Sequence, residues 1–419
     1  MSKDMTPVRG TKDYLPKEMA MREEVKSIIL KSYKSFGFMQ IGTPILEDID
    51  NLMGSDGGDN LKLIFKVLKR GEKLDLKKPN LTERDIVDIG LKYDQTVPLA
   101  RMYANNQNVL PSPFKSIQID SSFRADRPQL GRNRQFTQCD IDILGDSSSN
   151  AEIDIINTTA KTFEALGFDG IVAKVNDRRI LSDLIAMAGF SEEQEKDVCI
   201  CLDKIDKLGI EGVRAEMLTR NFSEEKTHLL LEQIESIIDA GTDYYGVLLA
   251  CGVRADVVNS VKYLLDSVNA LSSGKSRAEF DISIVRGQNY YTGVVYEFYL
   301  PGISGACAGG GRYDNMIGKM VGKTVPAVGL GLGFEPTCLL YSEKHKDAKP
   351  ECPTVAVMYG NDDDFVEVMK FVQSINDKCN AAAILAKKNI SHQLDILSEN
   401  GYTHFCNFAD KIIKEISQN

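Results

Sequence analysis

The sequence predicts an α+β protein: a largely antiparallel sheet, a helical insertion and a small C-terminal α/β unit. Three observations carry this. Residues 39–144 form short β-rich runs broken by polar loops, without regular βαβ alternation. Residues 176–273 are helical in pattern and charged, with no strong strand signal. Strand patterns resume over 280–334, before a tail in which apolar and helical runs alternate.

The chain opens with a helix over 17–36, because Val25, Ile28, Ile29 and Phe36 recur at helical spacing and Gly37 ends the run. Strand-like runs follow at 39–46, 64–68, 114–124 and 135–144, and later at 280–285, 290–300 and 325–334. The sheet begun in 1–175 is thus completed by 274–341, with 176–273 inserted between them. A polar linker, 342–351, leads to the tail, 352–419, where strands at 354–359, 381–386 and 402–408 alternate with helices at 362–378 and 391–400.

Composition narrows the function classes. At 419 residues the chain needs two or three domains, and 43% hydrophobic with 26% charged residues is the balance of a soluble globular protein. There is no apolar run of the roughly 18–20 residues that a membrane span needs, and MSKDMTPVRG has no signal-peptide pattern, so a cytoplasmic protein is expected. The nine cysteines lack paired metal-ligand spacing; Cys199 and Cys201 have a single residue between them. A net charge of −10 argues against generic coating of nucleic acid, though not against one local basic loop. The four histidines, His228, His345, His392 and His404, fall in no motif, which argues against zinc hydrolysis through histidines and against a serine–histidine triad.

Five segments could carry chemistry. In FRADRPQLGRNRQFTQCDIDILG (123–145), Arg124, Arg127, Arg132 and Arg134 cluster around a Pro–Gly loop, and guanidinium forks suit phosphate oxygens. The strand after them alternates Gln138, Asp140 and Asp142 on one face, which suits an amine-bearing ligand. A solvated basic hairpin would look similar. In DISIVRGQNYYTGVVYEFYL (281–300), Arg286 precedes Tyr290 and Tyr291, which in a strand would point to opposite faces, so at most one faces a pocket. ACAGGGRYD (306–314) lets backbone approach a ligand closely, but lacks the ending of a P-loop. AVGLGLGFE (327–335), with Gly329, Gly331 and Gly333, clears one face of a strand and leaves a flat floor for a planar ring. In GLKYDQTVPLAR (90–101), Asp94 reads alone as a capping carboxylate.

In this order the segments resemble the class II aminoacyl-tRNA synthetases, and specifically the histidyl family. VRGTKDYLP (8–16) looks like its N-terminal signature and IGTPILE (41–47) like motif 1, which in the family builds the dimer interface around its proline, here Pro44. FRADRPQLGRNRQFTQCDIDILG resembles motif 2, VRGQNYYTG and AGGGRYD the two histidine-specific motifs, and AVGLGLGFE motif 3. VNDRRIL, LDKIDKL and AEM are similar to the eukaryotic and archaeal branch.

The resemblance implies a class II catalytic domain that activates histidine with ATP and transfers it to the 3′ end of tRNA(His). It implies that Arg124 and Arg286 hold the α-phosphate, that Asp126 accepts from the adenine amino group, and that the loop Arg127–Arg134, with Arg132 and Arg134, covers ATP and meets the acceptor end of the tRNA. Gly331 and Gly333 would lie under the nucleotide. Asp94 and Gln138 would fix the α-amino group, while Asp142 and Tyr291 would bracket the imidazole, with Tyr313 nearby and Tyr290 and Arg286 also among the histidine-binding residues. Magnesium is expected with ATP, its protein ligands unassigned, and a homodimer is expected from motif 1.

Two departures stand out. The family's motif 3 ends Glu-Arg, with the arginine on the terminal phosphate, whereas here Glu335 precedes Pro336. Loss of one charge-assisted contact is worth roughly 1.5–3 kcal/mol. The tail is shorter than the family's anticodon-binding domain and, from Glu351 on, has ten acidic residues, six lysines and no arginine. Two other readings share these residues: a non-catalytic histidine-binding paralogue of the type that regulates ATP phosphoribosyltransferase, and an adenylating paralogue with an acceptor other than tRNA.

Overall fold

The computed structural model describes residues 5–54, 58–128, 133–285, 290–346 and 352–416. The chain divides into two compact units, Met1–Thr11 with Lys26–Leu340 and Lys12–Val25 with Tyr341–Asn419.

The first unit is organised by an eight-stranded sheet among the described residues. From edge to edge its strands are Met39–Gln40, Phe114–Phe123, Gln135–Leu144, Ala327–Gly333, Ala308–Arg312, Val294–Tyr299, Ile171–Asp177 and Ser276–Phe280. The five interior pairings are antiparallel; only the two outermost strands pair parallel. The α+β expectation holds, and late strands do complete the early sheet. Six helices occupy the segment between its seventh and eighth strands: Arg178–Met187, Glu192–Leu202, Ile205–Thr219, Glu224–Ala240, Tyr244–Ala250 and Ala255–Leu271. Behind the sheet, Asn150–Ala165 buries Ile155, Ile156 and Phe163. Its Glu152 takes a bidentate ion pair from Arg312, both contacts at 2.6 Å and both residues under a tenth exposed. This fastens the glycine-rich strand to the helix by a charge pair that would be costly to break singly.

The expected strands differ from the observed ones where local chemistry intervenes. The run at 39–46 splits into Met39–Gln40 and Leu46–Asp48, because Pro44 between them has no N–H to give a ladder. The apolar run at 280–285 is not a strand. Ser276–Phe280 ends there because the Asp281 carboxylate accepts from the Ser283 N–H at 2.9 Å and its hydroxyl at 2.6 Å, forming a turn. Ile282, Ile284 and Val285 are buried all the same, since Asn176 donates to the carbonyls of Ile282 and Ile284 at 3.1 and 3.0 Å. The pattern reported burial, not extension.

The second unit carries a four-stranded sheet, ordered Asn380–Leu385, Thr354–Tyr359, His404–Asn407 and Ile413–Glu415, the last pair antiparallel. Helices Phe365–Ile375 and Ile390–Glu399 complete it. The final strand, IKE, is too short and polar for a sequence signal. Among the described residues no helix is long and apolar enough to cross a membrane.

Candidate active site

Alternation along Gln135–Leu144 sets Gln138, Asp140 and Asp142 on one face, and the antiparallel register places Gly333, Gly331 and Gly329 directly opposite them. On the far side Gly309 and Gly311 oppose Gly331 and Gly329 in turn. A cavity of about 410 Å³ opens over this glycine-rich patch, with Asp94, Arg124, Tyr290, Tyr291, Glu297 and Tyr313 on its walls.

The glycines act differently from a bare floor for a ring. A Cβ on Gly329 would stand 1.9 Å from the Asp142 Oδ1, and one on Gly331 would stand 3.0 Å from the Asp140 Oδ1. The missing side chains therefore make room for the protein's own carboxylates. The hydroxyl of buried Tyr296 donates to the Gly329 carbonyl at 3.0 Å and holds that strand in place.

Asp94, Asp140 and Asp142 are each under a tenth exposed. Burial pushes the Asp142 carboxyl up to about 7, against the hydrogen bond from Tyr313 (2.5 Å), with the nearby Asp94 charge adding to the rise. Burial likewise raises Asp140 well above the carboxylate range, helped by Asp142 and Asp94 and opposed by Arg124 and Lys92. Asp94 is raised by burial and held down in part by Arg124. Its Oδ1 caps the helix Thr96–Asn106, accepting from the N–H groups of Thr96 and Val97 at 3.2 and 3.4 Å. The capping role is real, but it occupies one oxygen. Asp94 Oδ2, Gln138 Oε1 and Asp140 Oδ1 are buried and have no hydrogen-bond partner among the described residues. Unpaired buried acceptors are costly, and three in one cavity point to a donor-rich ligand.

Arg124 stands where the Phe114–Phe123 strand runs into the motif 2 loop. Its Nε donates to the Tyr93 carbonyl at 2.9 Å and its guanidinium lies 5.1 Å from the Phe136 ring centre, so the side chain is fixed on the cavity wall. Asp126 and Arg134 do not line the cavity. Arg134 donates to the Asp126 carbonyl at 3.1 Å, and its own N–H to the Gly10 carbonyl at 2.7 Å, at the root of the loop. Arg132 and Arg286 lie outside the described residues.

Both Tyr290 and Tyr291 line the cavity, contrary to the expectation that at most one would. The strand starts only at Val294, and Tyr290 sits in a turn, so strand alternation does not apply. Their ring centres are 4.6 Å apart, and Tyr313 meets Tyr290 edge-on at 6.0 Å.

The histidyl-tRNA synthetase sequence profile matches residues 10–336. The chain belongs to that family. The histidine–tRNA ligase of Leifsonia xyli subsp. xyli is 42% identical over 345 residues, covering 80% of each chain. That of Christiangramia forsetii is 33% identical over 354 residues, covering 80% of this chain and 76% of the relative. In fold, the chain resembles histidyl-tRNA synthetase from Nostoc sp. PCC 7120, with a TM-score of 0.75 at 24% identity, covering 99% and 97% of the two chains. It also resembles an ATP phosphoribosyltransferase regulatory subunit/histidyl-tRNA synthetase from Bacillus halodurans, with a TM-score of 0.74 at 17% identity, covering 96% and 97%. These relatives are bacterial, and lend no support to the expected placement in the eukaryotic and archaeal branch.

For a histidyl-tRNA synthetase family member, the motifs named six cavity residues expected at the amino acid: Asp94, Gln138, Asp142, Tyr290, Tyr291 and Tyr313. Glu297, Phe136 and Cys307 also line it and were missed. Glu297 had a signal, a single carboxylate in the apolar strand VVYEFY; Phe136 and Cys307 had none. Pro336, in the place of the family's motif 3 arginine, sits in the first turn of helix Phe334–Lys344, where a missing N–H costs nothing.

Proposed function

We propose that the chain is a histidine–tRNA ligase, and the observation that carries it is the set of three buried, unpartnered acceptors in one cavity. An ammonium has three N–H donors. Asp94 Oδ2, Gln138 Oε1 and Asp140 Oδ1 would take one each. Asp142, already held by Tyr313, accepts from an imidazole nitrogen, and Tyr291 and Tyr290 enclose the ring. With both ends fixed, the carboxylate of histidine is directed toward the Arg124 wall.

There a carboxylate oxygen attacks the α-phosphorus of ATP, the bond to the β-phosphate bridging oxygen breaks, and pyrophosphate leaves. Arg124, with Arg286 assigned by family resemblance, would offset the charge that grows on the phosphoryl oxygens. Positioning and charge neutralisation do most of the work in such transfers. In the second step the terminal ribose hydroxyl of tRNA(His) attacks the acyl carbon, loses its proton, and AMP leaves. Gly331 and Gly333 would underlie the nucleotide, and Asp126, Arg132 and Arg134 would cover it from the loop. No group of three or more metal-binding side chains is gathered among the described residues. Magnesium would enter with the phosphates of ATP.

Around exposed Pro44, the apolar side chains of Met39, Ile45 and Leu46 are 41, 39 and 49% exposed. That patch supports a homodimer through motif 1. We place the protein in the cytoplasm, with tRNA entering by its acceptor end.

Histidine-dependent ATP–pyrophosphate exchange tests the reading, with Pro336→Arg alongside. The wild type is expected to exchange in magnesium and to stop on chelation; the variant should lower the KM for ATP about tenfold or more, the worth of one charge-assisted contact. Silence in the wild type with exchange in the variant would leave the regulatory, histidine-binding reading in its place. Exchange without charging of tRNA would favour another acceptor. A separate expectation concerns Gly329→Ala. Its Cβ would displace the Asp142 carboxylate, so the KM for histidine should rise at least tenfold while far-UV circular dichroism stays unchanged.

A further inference from the structure

Residues 62–78, KLIFKVLKRGEKLDLKK, have seven cations against two acids, in a chain whose total charge is −10. In the structure this stretch supplies the strand Lys66–Leu68, paired to Val87–Leu91, and the arm between them. The arm is closed at its base by the Lys69 N–H on the Ile86 carbonyl at 2.8 Å. Some of its cations are used as staples: Lys66 on Glu83 at 2.6 Å, Lys69 Nζ on the Arg84 carbonyl at 2.7 Å, and Lys78 on Asp85. Arg70, Lys73 and Lys77 are not. They are exposed, and their side chains have no ion pair or hydrogen bond among the described residues.

The arm is rooted at the mouth of the cavity. The Leu63 carbonyl accepts from the Ala125 N–H at 2.8 Å, immediately after Arg124, and two residues before exposed Arg127. The N-terminal segment joins the same loop through Gly10, next to exposed Arg9. Free cations are thus carried on a stapled arm whose root is bonded to the loop next to Arg124. The tail, by contrast, has ten acids and no arginine from Glu351 on.

We infer that the 62–78 arm is an RNA-docking surface that grips the sugar–phosphate backbone of the acceptor arm while its end enters the cavity. The inference rests on the ligase reading for the identity of the RNA. Phosphate contacts supply most sequence-independent affinity, and each one released adds to the salt dependence of binding. Three free cations on one element account for a slope of about 2–3 in log K against log salt.

The test is a triple variant, Arg70→Gln, Lys73→Gln and Lys77→Gln. Binding of a fluorescent tRNA(His) transcript is followed by anisotropy over a salt series, with pyrophosphate exchange and tRNA charging measured beside it. The slope of log K against log salt should shrink by about 2–3, and the KM for tRNA should rise about tenfold or more, with exchange unchanged. An unchanged slope and KM would overturn the docking surface while leaving the ligase standing. If the wild type binds tRNA but neither exchanges nor charges, the ligase reading fails and the slope still decides the surface. If the wild type binds no tRNA at all, both fall.

Discussion

Replacing Arg124 with alanine is expected to lower the rate of histidine-dependent pyrophosphate exchange by about 10²–10³-fold, with a much smaller change in histidine binding. The side chain is held by the Tyr93 carbonyl through Nε and lies over Phe136. Its terminal nitrogens are therefore pre-oriented before ATP arrives, which is what makes a charge effective against a short-lived transition state. Lysine should rescue poorly, because it cannot donate to Tyr93 and present a fork at the same time. A second consequence follows inside the cavity. Arg124 opposes the upward shifts of Asp94 and Asp140, so its loss would leave both more protonated. Stopped-flow exchange across pH, in wild type and Arg124→Ala, measures both effects. A loss confined to histidine KM would remove Arg124 from the phosphoryl step.

The second large effect is expected from Asp142→Asn, and it has opposite signs for activity and stability. For activity, kcat/KM for histidine should fall about 10–100-fold, since a charged acceptor for the ring N–H becomes a neutral one. In the wild type the acid limb of kcat/KM should lie near the Asp142 value of about 7 and vanish in the variant. The limb from free histidine itself, near about 6.5, remains in both. For stability the sign runs the other way. The folded chain raises Asp142 from 3.8 to about 7, so between those values it binds a proton that the unfolded chain has shed. Stability from this group is therefore greatest below about pH 4 and falls as pH rises to about 7. The asparagine variant carries no such penalty, and unliganded it should melt higher than the wild type at pH 8, with the gap closing toward pH 5. Differential scanning calorimetry at the two pH values decides this; a lower melting temperature at pH 8 would contradict the burial argument.

Strands were legible where their pattern was uninterrupted: Gln135–Leu144, which carries the site, and Thr354–Tyr359 in the second unit lie at their expected bounds. The alternation of Gln138, Asp140 and Asp142 also gave the polar face directly. What was hidden depended on tertiary partners. The run 280–285 is apolar because it is buried, and the Asp281 turn is tolerable there because Asn176, about a hundred residues earlier, satisfies the carbonyls of Ile282 and Ile284. Helix Thr96–Asn106 was not among the expected elements; the Asp94 carboxylate caps its first turn, which contains Pro98. The glycine run could be seen as a cleared face, but that Asp142 and Asp140 fill it depended on cross-strand register, which no local pattern specifies.

That register makes position 329 and position 142 a single unit in evolutionary terms. A carboxylate at 142 is permitted by the hydrogen at 329, so each residue sets the substitutions the other tolerates. Libraries that vary either position alone should return almost only the parental residue, whereas paired libraries should recover combinations such as a larger side chain at 329 with a smaller, uncharged one at 142. Those combinations would keep the sheet and give up the imidazole. In this protein a change of amino-acid specificity would therefore begin with a glycine that has no side chain to offer a substrate.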